Sequence, residues 1–207
     1  MDVDNIERTS FGPGFEGHPE NVFRDELKGM NPLERVRAFK ARIDDYLISQ
    51  TERLASTGPW MPFPLTVMTL VGIELLGSYK YGDPGNNRNR HFQRIVEDID
   101  PTFGEKKPNP DGKTVPISDF IYSAFRNTYI HGFLGKWVFI THRTEEAEKW
   151  IYGRNDRLVV VNIYWFWTQF KRVYTDFFES LLKANDPACE PLLTFGRTFK
   201  RHFSEWL

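Results

Sequence analysis

The chain has 207 residues, long enough for one substantial core or one domain with decorated ends. Its formal net charge is −1, which excludes a global field that would draw in nucleic acid, so any anion site must be local. The single cysteine, Cys189, excludes an intramolecular disulfide and a thiolate metal cluster, and a reducing cytoplasm fits best.

The first residues, Met1-Asp2-Val3-Asp4, are acidic with no apolar run behind them, so no signal peptide is expected. Residues 1–30 mix glycine, proline and charge and are expected to form an irregular arm, docked through Phe11, Phe15 and Phe23. Asn31-Pro32 then supplies a capping side chain followed by proline at the first helical position. Leu33, Val36, Phe39, Ile43, Tyr46 and Leu47 follow at helical spacing, and Thr57-Gly58-Pro59 breaks the pattern.

The run 65–76 falls short of the roughly 20 residues of a membrane span, carries Glu74 and follows Pro62 and Pro64. It reads as a buried helix that starts after Pro64 and ends at Gly77 or soon after, and no membrane partner is expected. Residues 81–87 form a loop signal rich in glycine and asparagine. A short helix carries Phe92, Ile95, Val96 and Ile99 and stops at Pro101, and residues 104–116 read as a polar connector.

A further helix starts near Ser118, with Ile117, Phe120, Ile121, Ala124, Phe125 and Thr128 on one stripe and Gly132 as its cap. Residues 136–141 and 157–161 are β-branched and aromatic, which predicts two short strands forming a small β-hairpin. From Ile163 a long aromatic helix continues to Leu181, Asn185-Asp186-Pro187 ends it, and an amphipathic tail covers 192–207. The expected fold is therefore mainly α, one domain over residues 31–207, with the hairpin placed before the last long helix.

The stretch Phe125-Arg126-Asn127-Thr128-Tyr129-Ile130-His131-Gly132 carries the chemistry. His131 falls in the last turn of its helix, where the dipole favours the imidazolium and suits general acid–base work near neutral pH. Arg126 stays cationic and can hold a phosphate through paired hydrogen bonds. On an ideal helix His131 lies about 40° from Asn127 but about 140° from Arg126, with Arg126 roughly 7.5 Å further back along the axis. Asn127 and His131 share a face; Arg126 does not. Two copies meeting across a symmetry axis would bring the groups into one cleft. RNA supplies its own 2′-hydroxyl nucleophile, and no metal-binding motif is visible, so no metal or cofactor is expected.

Arg88, Arg90, His91 and Arg94 form the densest basic cluster, which either tracks an RNA backbone or is a solvated loop. Tyr164-Trp165-Phe166-Trp167 either stacks bases or, by its helical spacing with Phe170 and Phe177, belongs to the core or a dimer interface. Tyr122 and Tyr129 read as packing residues, His91, His142 and His202 lack metal spacing, and Glu97, Asp98 and Asp100 read as solvated acids at a helix end.

The motif resembles the Rx4–6H signature of the HEPN superfamily: an arginine, a polar residue, then a histidine, here Arg126, Asn127 and His131. The order around it also resembles small bacterial HEPN-domain proteins: the apolar run 65–76, a glycine-rich loop, Arg90-His91-Phe92-Gln93-Arg94-Ile95-Val96, then Ile121 to Asn127. The resemblance covers most of 65–182. It implies a HEPN-like helical bundle that dimerises, and a metal-independent endoribonuclease acting on single-stranded RNA in toxin–antitoxin, phage-defence or CRISPR settings. An antitoxin or effector-complex partner would follow. By the same resemblance Arg126 stabilises the phosphate, Asn127 orients it or the histidine, and His131 is the acid–base group. Family members silenced by nucleotide transfer have a tyrosine two residues after the histidine, where this chain has Phe133. Many family members are instead catalytically silent scaffolds or nucleotide binders, and an interaction subunit assembling through the aromatic helix and tail is a further reading.

Overall fold

Asn31 opens the first helix, α1 (Pro32–Ile43), with a reciprocal cap: its side chain accepts from the Glu34 N–H at 3.0 Å while its own N–H donates to Glu34 Oε2 at 2.7 Å. The computed structural model describes residues 27, 29–57, 62–82, 88–109, 111–123, 138–141, 150–153 and 158–203, with the backbone alone at 88, 138–141, 150–153 and 158. Over these residues the protein is mainly helical. The expected arm lies outside them apart from Leu27, Gly29 and Met30, and Leu27 is fully buried in the core.

A π-helical turn, Asp44–Ile48, joins α1 to α2 (Ser49–Ser56), and Thr57 ends the helix at the expected break. Asp44 is half-buried there and engaged through both oxygens: Lys40 Nζ lies 2.5 Å from its Oδ2 and the Tyr174 hydroxyl donates to its Oδ1 at 2.8 Å.

The next helix, α3 (Pro62–Tyr81), is longer at both ends than its apolar run predicts. Pro62 and Pro64 fall in the first turn, whose N–H groups have no intrahelical acceptor, so the prolines start the helix rather than precede it. Gly77 does not cap it. A Cβ there would lie 3.2 Å from the His91 carbonyl oxygen, so glycine permits a close approach of backbones. Thr66 and Thr69 donate to the carbonyls of Pro62 and Leu65 four residues back, which lets α3 bury them. By length and composition α3 is apolar enough to cross a membrane, but half of that window is buried, packed against neighbouring helices.

After Gly82, in the left-handed region at φ 85°, comes α4 (Arg88–Ile99), followed by a 3₁₀ turn, Pro101–Gly104, that Asp100 caps. Residues 104–116 are not a plain connector. Lys106–Pro108 (β1) and Thr114–Pro116 (β2) pair antiparallel, with Lys107 opposite Val115. Asn109 closes the turn by accepting from Lys113 N–H at 2.8 Å, a turn chemistry that reads as loop when only composition is considered. The next helix, α5 (Ile117–Ile121), begins one residue before Ser118.

The small sheet differs from the expected hairpin. Its strands are β3 (Val138–Thr141), β4 (Trp150–Gly153) and β5 (Leu158–Asn162), in the order β3-β5-β4. The two expected strands, β3 and β5, run parallel, and β4 is the antiparallel partner of β5. A parallel pair needs a crossover, not a tight turn, and β4 lies within it. Trp150-Ile151-Tyr152 has the β-branched and aromatic character of a strand but is too short to stand out from the polar residues before it.

Asn162 ends β5 and caps α6 (Ile163–Leu182), accepting from the N–H groups of Tyr164 and Trp165 at 3.1 and 3.3 Å. The helix stops at Leu182, before Asn185, and the tail forms α7 (Glu190–His202). The core is aromatic. Phe39 packs 4.3 Å from the Tyr79 ring and within 6.4 Å of Phe178, Phe195 and Phe199, joining α1, α3, α6 and α7. Within the aromatic run, Phe166 and Trp167 are buried and Tyr164 and Trp165 sit at its rim, so packing accounts for them.

Candidate nucleic-acid interface

Arg126, Asn127 and His131, together with Tyr129 and Phe133, lie outside the described residues. The chain leading to them is well anchored. Ser118 donates to Glu97 Oε1 at 2.8 Å, Gln93 donates to Asp119 Oδ1 at 2.8 Å, and the Tyr122 ring meets Phe92 edge-on at 5.3 Å. These contacts hold α5 and the turn after it on α4, and Tyr122 is a packing residue as expected. On the far side the described chain resumes at β3, paired with the strand that feeds α6.

The expected basic cluster falls on α4. Arg88 is its first residue, described by backbone only. Arg90 and Arg94 are one turn apart, so they share a face, and both are exposed. The Arg94 guanidinium sits 4.5 Å from the centre of the Tyr81 ring, a cation–π contact that orients it. No described residue hydrogen-bonds or ion-pairs with Arg90 or Arg94, although Asp98 stands one turn beyond Arg94. Asp98 is engaged from the other side. Its Oδ2 accepts from the Tyr81 hydroxyl at 2.5 Å and from Lys80 Nζ at 2.8 Å.

Burial, then the hydrogen bond to Asp98 and its charge, push the Tyr81 hydroxyl well above the ordinary tyrosine range. It therefore remains a donor at neutral pH. The acids of this helix end are not simply solvated: Glu97 accepts from Ser118, Asp98 from Lys80 and Tyr81, and Asp100 from Thr102 N–H at 3.0 Å.

Tyr81, Lys80 and Asp98 were not visible as site residues in the sequence. The available signal was the ladder Arg90, Arg94, Asp98 at four-residue spacing, which places a carboxylate beside two cations. Only the packing of α3 on α4 through Gly77 shows that Lys80 and Tyr81 take up that carboxylate. Of the other histidines the sequence singles out, His142 lies outside the described residues, while His91 lies 5.9 Å from the Tyr81 ring and His202 Nδ1 is 3.1 Å from the Tyr79 hydroxyl. Among the described residues no group of three or more His, Cys, Asp or Glu could hold a metal ion. The cavity between Phe39, Leu47, Gly72, Tyr79 and Tyr174 is apolar and about the size of one water molecule.

No family model matches the chain, and comparison with curated proteins and with solved structures gives no match.

Proposed function

We propose that the chain is a HEPN-like helical protein that cleaves single-stranded RNA without a metal, as a homodimer in which two copies of Arg126 and His131 share one cleft. The observation that carries the reading is the spacing of Arg126, Asn127 and His131 directly after a segment docked on α4. The order of α3, α4, α5 and α6 around that segment supports the HEPN-like architecture. In the reaction the RNA 2′-hydroxyl attacks the adjacent phosphorus and loses its proton to one His131. The 5′-oxygen leaves with a proton from the other, giving a 2′,3′-cyclic phosphate and a 5′-hydroxyl. Arg126 holds the non-bridging oxygens as charge develops, and Asn127 orients the phosphate or the histidine. Phe133 argues against silencing by nucleotide transfer, so an antitoxin or effector partner would act by binding. A cytoplasmic setting suits the single cysteine.

The test is cleavage of end-labelled single-stranded RNA in excess chelator. Cyclic-phosphate products that vanish in His131→Ala and Arg126→Ala support the reading; no cleavage, or cleavage unchanged in His131→Ala, ends it.

A second reading, a non-catalytic nucleotide- or protein-binding scaffold, is favoured by a different observation. Part of the described basic surface is already neutralised, which leaves less charge for an RNA strand: Lys40, Lys80, Lys171, Lys183 and Arg197 each contact a carboxylate. Titration calorimetry with mononucleotides separates the two, because a scaffold binds and does not cleave.

A further inference from the structure

We propose that Arg90 and Arg94 form a phosphodiester-binding edge for single-stranded RNA, and that Tyr81 and Lys80 keep it open by holding Asp98 away from Arg94. The inference rests on RNA being the ligand of the chain and adds where the strand is held outside the Arg126 and His131 motif.

Asp98 lies four residues after Arg94 on the same helix, the spacing at which an arginine and a carboxylate pair. A paired Arg94 would spend its hydrogen bonds inside the protein. Instead the Tyr81 hydroxyl and Lys80 Nζ both point at Asp98 Oδ2, at 2.5 and 2.8 Å. The Tyr81 ring lies against the guanidinium at 4.5 Å. The aromatic contact fixes the plane of the guanidinium and leaves its N–H edge for an outside acceptor. Arg90, one turn earlier and equally exposed, extends the edge along the helix. Locally Arg90, Arg94 and Lys80 stand among the carboxylates of Asp98 and Glu97, whose charges both act on the Tyr81 hydroxyl, which leaves a small positive excess on a chain whose net charge is −1. That excess suits a ligand bearing successive negative charges. The planar fork of Arg94 matches a phosphate, whose oxygens accept in pairs.

Tyr81, Lys80 and Asp98 are positioning residues here, since none need touch the RNA. Neighbouring polar groups are accounted for. Glu97 is bonded to Ser118, Gln93 to Asp119, and Arg172 donates to the carbonyls of Asp98 and Ile99 at the far end of α4. None of these acceptors competes for Arg94.

The experiment measures binding of a short labelled single-stranded RNA to the full chain by fluorescence anisotropy over a range of salt, on a His131→Ala background so that the strand survives. Arg94→Gln is expected to weaken binding and to flatten the slope of log Kd against log salt by about 0.7, and Arg90→Gln with Arg94→Gln by about 1.4. Tyr81→Phe is expected to weaken binding although Arg94 is intact, because Asp98 becomes available to it. Adding Asp98→Asn to Tyr81→Phe should restore the affinity, a rescue that simple loss of packing would not give. Affinity and slope unchanged in the double arginine variant overturn the inference, as does failure of Asp98→Asn to rescue Tyr81→Phe. Poly-glutamate competing as well as RNA at equal charge also overturns it, since the edge would then suit an acidic protein. Arginine-dependent binding without cleavage by the parent chain sinks the nuclease reading alone. Cleavage by the parent with arginine-independent binding sinks the edge alone.

Discussion

The helices α3 and α6 each span 20 residues and pack against one another, yet they meet solvent in opposite ways. On α6 the buried residues, from Ile163 through Phe170 and Phe177 to Leu181, make one stripe, while Thr168, Arg172, Thr175, Asp176 and Glu179 face outward. On α3 the inward half holds Leu65, Leu70, Ile73 and Leu76, but the other half is also apolar, with Val67, Met68, Val71 and Leu75. The difference is one of what sequence can display. A helix with a polar back announces which face it buries, and a helix with an apolar back announces only that it is a helix.

The strongest way to break this comparison is to truncate the shared contact. Phe170 is fully buried, and Phe170→Ala is expected to cost about 3–5 kcal/mol in denaturant unfolding. On α3, adjacent residues test the two faces directly. Leu70, 1% exposed, should lose about 2–5 kcal/mol on change to alanine. Val71, 45% exposed, should stay within about 0.5 kcal/mol. Equal losses at both positions would mean that the outer face of α3 is covered.

Gly72 sharpens the same contact from the other side. A Cβ at this position would lie 2.6 Å from Phe170 Cζ, so Gly72→Ala is expected to destabilise by about 1–3 kcal/mol through overpacking, despite the better helix propensity of alanine. Combining it with Phe170→Leu should recover part of the loss. Additive losses in that double-mutant cycle would show that the two residues do not compete for one space.

What the sequence displayed follows the same logic as the two helices. The helical stretch from α1 through α2 was legible because Asn31-Pro32 carries the start of α1 and Thr57 the end of α2, and both act locally. The extent of α3 was not, because Pro64 and Gly77 read as punctuation until neighbouring backbones are known; Gly77 is there for α4, which is a tertiary fact. The parallel pairing of β3 with β5 was hidden for a similar reason, since strand direction depends on a crossover. At the candidate interface Arg90 and Arg94 were legible as cations, but the availability of Arg94 depends on Lys80 and Tyr81, which lie on another helix. The motif of Arg126, Asn127 and His131 remains a reading of sequence.

Buried phenols give a smaller, pH-dependent test of how α3 and α6 are tied to their neighbours. Burial raises the hydroxyl pKa of Tyr79 on α3 and of Tyr174 on α6, the latter helped by the hydrogen bond to Asp44; Tyr81 is raised in the same way. A raised folded pKa means that the unfolded chain loses its phenol protons first, near pH 10. The phenols' contribution to stability is therefore flat through neutral pH and falls as pH rises above about 10, by no more than about 1.4 kcal/mol per pH unit for each phenol. Tyr81 should contribute less than Tyr79 because solvent screens it. Denaturant midpoints from pH 7 to pH 11 check this, and Tyr174→Phe should make the alkaline fall shallower. A midpoint that rises above pH 10 would contradict the burial of these rings.

The smallest expected effect separates local from tertiary control. Asn31 caps α1 through contacts with Glu34 alone, both at the exposed helix start. Asn31→Ala is expected to cost about 1 kcal/mol, since it removes one acceptor for an otherwise open N–H group. Glu34→Ala should cost less, because the Asn31 side chain still accepts from the helix. The effect should also be independent of Gly72→Ala, as the two sites share no partner. If the two losses prove strongly coupled, α1 is held chiefly by its packing on α6 through Phe39 and Phe178, and the start that looks locally encoded is set by the core after all.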